Sequence, residues 1–233
     1  MSEIEQTSAG PADAAGGKAA GEAAEQAGAA AADTPAPQPQ SHPQSGGQSR
    51  DQGRRVKKTI VMVGMMGAGK TAVGRALAAR LGVPFLDSDH EIEAAANMTI
   101  PEIFARDGEA FFRQKESQVI ARLLEDARGV LSTGGGAFLS EANRRMISAR
   151  GVSVWLNADL DVLWNRVRHR DHRPLLKTAD PYGTLKGLYD ARVPLYAEAD
   201  LRVRSDAQTS VEGVVDRVLE ALATRPDVLE PRD

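Results

Sequence analysis

An α/β architecture with a parallel sheet is what the sequence predicts, and three observations carry that expectation. From Thr59 onward, short β-rich runs alternate with longer stretches of helical periodicity, the pattern of strands joined by crossover helices on both faces. The first apolar run, Thr59 to Val63, leads directly into Gly-Met-Met-Gly-Ala-Gly-Lys-Thr at residues 64–71, with a helical pattern immediately after it. Polar or glycine clusters then follow two further strands, Asp87-Ser88-Asp89 and Gly134-Gly135-Gly136. In open parallel sheets, ligands sit beyond the carboxyl ends of the strands, so these three clusters converge on one rim.

Strands are expected over 59–63, 84–86, 129–132, 152–156 and 201–204. Helices are expected over 70–81, 90–96, 100–106, 110–127, 141–150, 160–169, 184–197 and 211–224. In the last of these, Val211, Val214, Val215, Val218, Leu219 and Leu222 form one apolar stripe, the mark of a packing helix. Trp155 and Trp164 read as core residues rather than a ligand platform.

Composition divides the 233 residues sharply. Residues 1–55 are rich in Ala, Gly, Gln, Pro and Ser, and Ile4 is their one aliphatic residue larger than Ala. Such a segment buries too little apolar surface to offset the entropy of ordering, so a disordered N-terminal tail is expected. Residues 56–225 suit a single domain, and 226–233 read as a frayed C-terminal tail.

A net charge of −3 points to neither nucleic acid nor an anionic membrane as partner. Cysteine is absent, which excludes disulfides, thiolate metal sites and cysteine nucleophiles. No apolar run is long enough to span a bilayer, and the start Met-Ser-Glu-Ile-Glu has no secretory apolar core. A cytoplasmic protein is expected. The four histidines show no metal-ligand spacing.

The octapeptide at 64–71 satisfies the G-x-x-x-x-G-K-[ST] pattern, a loop whose backbone N–H groups wrap triphosphate oxygens with help from the following helix N-terminus. Lys70 is positioned to reach the β- and γ-phosphates of a nucleotide, and the Thr71 hydroxyl to ligate Mg²⁺. Asp87 and Asp89 stand i, i+2 at a strand end; one suits water-mediated support of the metal and the other a substrate hydroxyl, while helix capping remains an alternative. The glycine triplet exposes backbone to close approach, or serves only as a turn. Arg113 and Arg192 are the bidentate donors a carboxylate substrate needs, though Arg113 and Glu116 also suit an i, i+3 surface pair. The basic stretch Arg166–Arg173 precedes a Pro/Gly-containing loop and suits either a closing lid or a basic helix end.

Taken together, these motifs resemble shikimate kinase. The matching segments are 64–71, 87–89, 100–104, 108–116, 132–136, 173–176 and 192–196, in order through residues 57 to 224. The resemblance implies a P-loop three-layer αβα sandwich with a central five-stranded parallel sheet in order 2-3-1-4-5, similar to nucleoside-monophosphate kinases and carrying a lid. It implies ATP-dependent phosphorylation of the 3-hydroxyl of shikimate, on the route to chorismate and the aromatic amino acids, by a monomer. By position, Gly67, Ala68, Gly69, Lys70, Thr71 and Ala72 would hold ATP and Thr71 would bind Mg²⁺, with Asp87 supporting the metal through water. Asp89 would bond the acceptor hydroxyl, Arg113 and Arg192 the carboxylate, and Gly135 the substrate. Arg173 would be the lid arginine, and Gln208 would match an adenine contact across a one-residue gap. A kinase of the same fold acting on gluconate or a nucleotide, and a nucleotide-binding regulatory module, are the alternatives.

Overall fold

The structure is a computed structural model that describes residues 54–126, 128–169 and 174–230. Five strands form one sheet: β1 (Thr59–Val63), β2 (Phe85–Asp87), β3 (Val130–Ser132), β4 (Gly151–Asn157) and β5 (Leu201–Arg204). Their order is β2-β3-β1-β4-β5, and every pairing is parallel. β1 lies at the centre, with Ile60 opposite Val130 on one side and Val152 on the other. All five of its residues are buried, so helices cover the sheet on both faces. This is why the strand reads as an unbroken apolar run rather than an alternating one.

Among the described residues, seven α-helices flank the sheet: α1 (Lys70–Leu81), α2 (Ser88–Ala96), α3 (Ile100–Asp126), α4 (Glu141–Arg150), α5 (Leu160–Val167), α6 (Pro181–Tyr196) and α7 (Val211–Leu222). α1 packs on α7, and α3 packs on α4. The stripe expected on α7 is the buried one: Val214, Val215, Val218, Leu219 and Leu222 all face the core. The two helices expected at 100–106 and 110–127 form one element interrupted at Gly108, whose φ of 83° and ψ of 171° are non-helical. Beyond that break, Arg113 and Glu116 approach the glycines that follow β3. Trp155 is core, and half-buried Trp164 packs edge-on against Tyr182 with centroids 5.5 Å apart.

The expected fraying from residue 226 does not occur over the described part of that segment. Val228 and Leu229 are buried, and Val56 pairs with Leu229 in an antiparallel bridge. Lys57 donates its N–H to the Val228 carbonyl at 2.7 Å, and Glu230 donates to Arg55 at 3.1 Å. Two aliphatic side chains against the base of the sheet outweigh the entropy of fixing a short segment. The tail expected at 1–55 lies outside the described residues except for Arg54 and Arg55.

Candidate active site

A cleft of about 640 Å³ opens at the carboxyl ends of β1, β2 and β3. Residues 64–71 form its floor. Gly67 adopts φ 81°, and a Cβ there would stand 2.7 Å from Val167 Cγ1, so both conformation and space demand glycine. Gly69 caps α1 in the left-handed region without any side-chain hydrogen bond, and the first turn carries no carboxylate. The free N–H groups and positive end of α1 are thus left for an anion. Lys70 extends back along the loop, donating to the carbonyls of Gly64 at 2.9 Å and Met65 at 3.1 Å.

Asp87 closes β2 and serves two elements at once. Its Oδ1 accepts the N–H groups of Asp89 and His90, capping α2, while Oδ2 accepts from the Thr71 hydroxyl at 3.5 Å. Ser132 Oγ lies 3.4 Å from the same hydroxyl. The capping alternative is realised, and the second carboxylate oxygen is left facing Thr71 beside the phosphate loop. Thr71, Ser132 and Asp87 form an all-oxygen donor group beside the phosphate loop, which fits a hard divalent cation such as Mg²⁺ that keeps most of its water.

Asp89 is held in a different environment. Burial pushes its carboxyl up to about 6, the nearby charges of Asp87 and Glu116 add to that, and Lys70 opposes it. Glu116 is buried and also raised, by burial, against the lowering influence of Arg113. Its Oε1 has no hydrogen-bond partner. Both carboxylates converge on Gly134: a Cβ there would lie 2.7 Å from Asp89 Oδ1 and 2.9 Å from Glu116 Oε1. Gly134 is therefore a spatial requirement as well as part of a turn.

Arg113 donates to Glu116 at 2.8 Å and to Glu109 at 3.2 Å, and its guanidinium would collide with a Cβ at Gly136. The pairing with Glu116 is half-buried rather than the surface contact its spacing also allowed. Arg192, on α6, faces the hydroxyl of buried Tyr196 and counters the rise that burial imposes on that phenol. Gly135 borders the cleft from the same triplet. The two carboxylates and Arg113 are thereby gathered around three consecutive glycines, with Arg192 beside the phenol that bonds Gly135.

Arg166 sits at the far end of the cleft. It donates to the carbonyls of Gly67 and Asp206 and to Ser205 Oγ, clamping the phosphate loop to the turn after β5. Thr209, Val211 and Val214 continue that wall. Gln208 does not: its side chain is exposed, and it is Thr209, one residue on, that lines the cleft. The Asp206 carboxylate accepts the N–H groups of both residues, forming a tight turn that sends the Thr209 side inward. Arg173 lies outside the described residues.

The family model for shikimate kinase matches residues 66–223. The shikimate kinase of Ruegeria pomeroyi is 79% identical over 173 residues, covering 74% of this chain and 89% of that protein. The chain belongs to the shikimate kinase family. The shikimate kinase of Cereibacter sphaeroides is 70% identical over 176 residues, 76% of this chain and 88% of that one. Among solved structures, a shikimate kinase from Acinetobacter baumannii in complex with shikimate superposes with a TM-score of 0.68 at 39% identity, covering 72% of this chain and 93% of its own. The enzyme from Bacteroides thetaiotaomicron gives 0.66 at 34% identity, covering 71% and 98%.

Three residues not singled out by the sequence touch the cleft or its glycines. Ser132, a strand end and the first residue of the matched segment 132–136, meets Thr71; Arg166, part of the basic stretch, holds the loop. Tyr196 ends the matched segment 192–196 and bonds the Gly135 carbonyl. Its signal was present: Arg192 and Tyr196 are i, i+4 and share a helix face.

Proposed function

We propose that this chain transfers the γ-phosphoryl group of ATP to the 3-hydroxyl of shikimate, giving shikimate 3-phosphate and ADP, a step toward chorismate and the aromatic amino acids. The observation that carries this reading is the triplet Gly134–Gly136, around which the carboxylate of Asp89 and the guanidinium of Arg113 converge beside a phosphate loop. An acceptor with a hydroxyl at one end and a carboxylate at the other fits that spacing of charges.

Gly67, Ala68, Gly69, Lys70, Thr71 and Ala72 hold the phosphates, through loop N–H groups and the Lys70 ammonium. The base end lies along Arg166, Thr209 and Val211. Arg113 and Arg192 bind the shikimate carboxylate, and Gly135 packs against the ring. Asp89 accepts a hydrogen bond from the acceptor hydroxyl and takes its proton late in transfer; a carboxyl raised to about 6 is suited to that exchange near neutral pH. Thr71 would hold Mg²⁺, with Asp87 and Ser132 bonding its waters; when bound, the ion neutralises charge on the transferring group. In-line alignment and charge neutralisation do most of the work, since a loose transition state asks little of a base. By family likeness, Arg173 adds a further cation on the phosphates.

The enzyme acts as a cytoplasmic monomer on this reading. Among the described residues, no helix is long and apolar enough to cross a membrane.

An ADP-release assay with shikimate, gluconate and nucleoside monophosphates as acceptors tests the assignment. Stimulation by shikimate alone is the expected result; stimulation by gluconate or a nucleotide and not by shikimate refutes it.

A further inference from the structure

Tyr196 is the largest fully buried side chain that no step above uses, and it lies against the acceptor pocket. Its ring stacks on Phe138 and on Trp155, each with centroids 6.4 Å apart. Its hydroxyl donates to the carbonyl of Gly135, the middle residue of the triplet. Gly135 otherwise has few constraints: a Cβ there would be 3.9 Å from Gly64 O, 3.9 Å from the tyrosine hydroxyl and 4.0 Å from Met66 N, all ordinary contacts. Space alone therefore does not fix this glycine. Three consecutive glycines are the most freely rotating backbone available, and a bond to the middle one removes that freedom where it matters.

We propose that Tyr196 is a positioning residue for the acceptor: one phenol oxygen holds the Gly135 carbonyl and meets the Arg192 guanidinium, setting glycine backbone and carboxylate-binding arginine in register. In a trans peptide, the carbonyl and the following N–H point in opposite directions. Holding the Gly135 carbonyl toward the ring therefore turns the Gly136 N–H away from it. The i, i+4 placement on α6 keeps Arg192 and the hydroxyl on one side of the helix. A phenol is needed because it donates to the carbonyl with its hydrogen while offering lone pairs to a cation. Buried as it is, Tyr196 stays protonated across the working range.

This inference rests on the shikimate assignment, so wild-type activity with shikimate is measured first. Failure there refutes the assignment and is distinguishable from any behaviour of the variant. In Tyr196→Phe, which keeps the ring stacking, KM for shikimate is expected to rise roughly 5- to 30-fold, the effect of stranding one buried carbonyl and loosening one arginine. KM for ATP and the slow hydrolysis of ATP without acceptor stay within about twofold. A second comparison uses Arg192→Lys: in the double variant the two KM effects combine to less than their product, because each disturbs the same contact. An unchanged KM for shikimate overturns the proposal whatever happens to the melting temperature, as does an equal rise in both KM values. Equilibrium binding of shikimate at 10 °C reads the same split should the variant melt early.

Discussion

Replacing Asp89 with Asn should make the folded protein more stable at neutral pH while removing its activity. An aspartate raised from 3.8 to about 6 is one whose charge the fold disfavours. That elevation corresponds to about 3 kcal/mol between the charged and neutral forms. The sign follows from the direction. The native state holds this proton more tightly than the unfolded chain, so the group's favourable contribution is complete below about pH 4 and is lost as pH rises through about 6. An amide cannot charge and keeps the neutral form's contribution at every pH. The stability gap between Asp89→Asn and wild type should therefore be near zero at pH 4 and reach about 3 kcal/mol by pH 8. In a domain of this size, that is on the order of 6–12 °C in melting temperature. Thermal melts at half-unit pH steps, without nucleotide or divalent cation, read the gap directly. In parallel, kcat with shikimate should fall by roughly 10²- to 10⁴-fold. A gap that is constant across pH, or a variant less stable than wild type at pH 8, would refute the claim that burial strains this carboxylate.

Further outcomes follow from the same wall of the cleft and from the base of the sheet. Arg113→Ala should weaken shikimate binding by roughly 2–5 kcal/mol, leaving ATP affinity unchanged in calorimetry. It should also lower the melting temperature, since buried Glu116 loses its partner; adding Glu116→Gln should restore the melting temperature but not shikimate binding. Gly134→Ala drives a methyl group between two carboxylates at 2.7 and 2.9 Å. It should cost about 1–3 kcal/mol in denaturant melts and abolish acceptor-stimulated ADP release, with nucleotide still bound. Truncation after Arg225 removes buried Val228 and Leu229 and should destabilise the domain by about 3–5 kcal/mol; unchanged urea melts would contradict their packing role.

Periodicity and punctuation made most of the architecture legible before any coordinates. β1, α1, α4 and β5 occupy the expected spans, because each is bounded by Gly, Ser or Asp and carries an unambiguous apolar pattern. The order β2-β3-β1-β4-β5 came from family resemblance, because strand sequences do not encode their neighbours. Asp89, Arg113 and Gly135 were visible as types at strand or helix ends, yet the reason for the triplet was not. That reason is a distance between Gly134 and two side chains 45 and 18 positions back along the chain. That Thr209 rather than Gln208 lines the cleft was not legible, because the Asp206 turn decides which side chain points inward, and turn geometry is a local hydrogen-bond matter. The buried end at Val228 and Leu229 was hidden by the prolines and charges around it, while its partner, Val56, stands more than 170 residues away.

That bridge between Val56 and Leu229 also brings the two extremities of the folded unit together at the base of the sheet, on the side from which the parallel strands set out. A few added residues could splice one extremity to the other, and the chain could be reopened at a surface connection elsewhere. Rearranged in this way, the polypeptide would keep its catalytic rim intact. Cargo joined next to Val56 or Leu229 would start on the side remote from the nucleotide cleft.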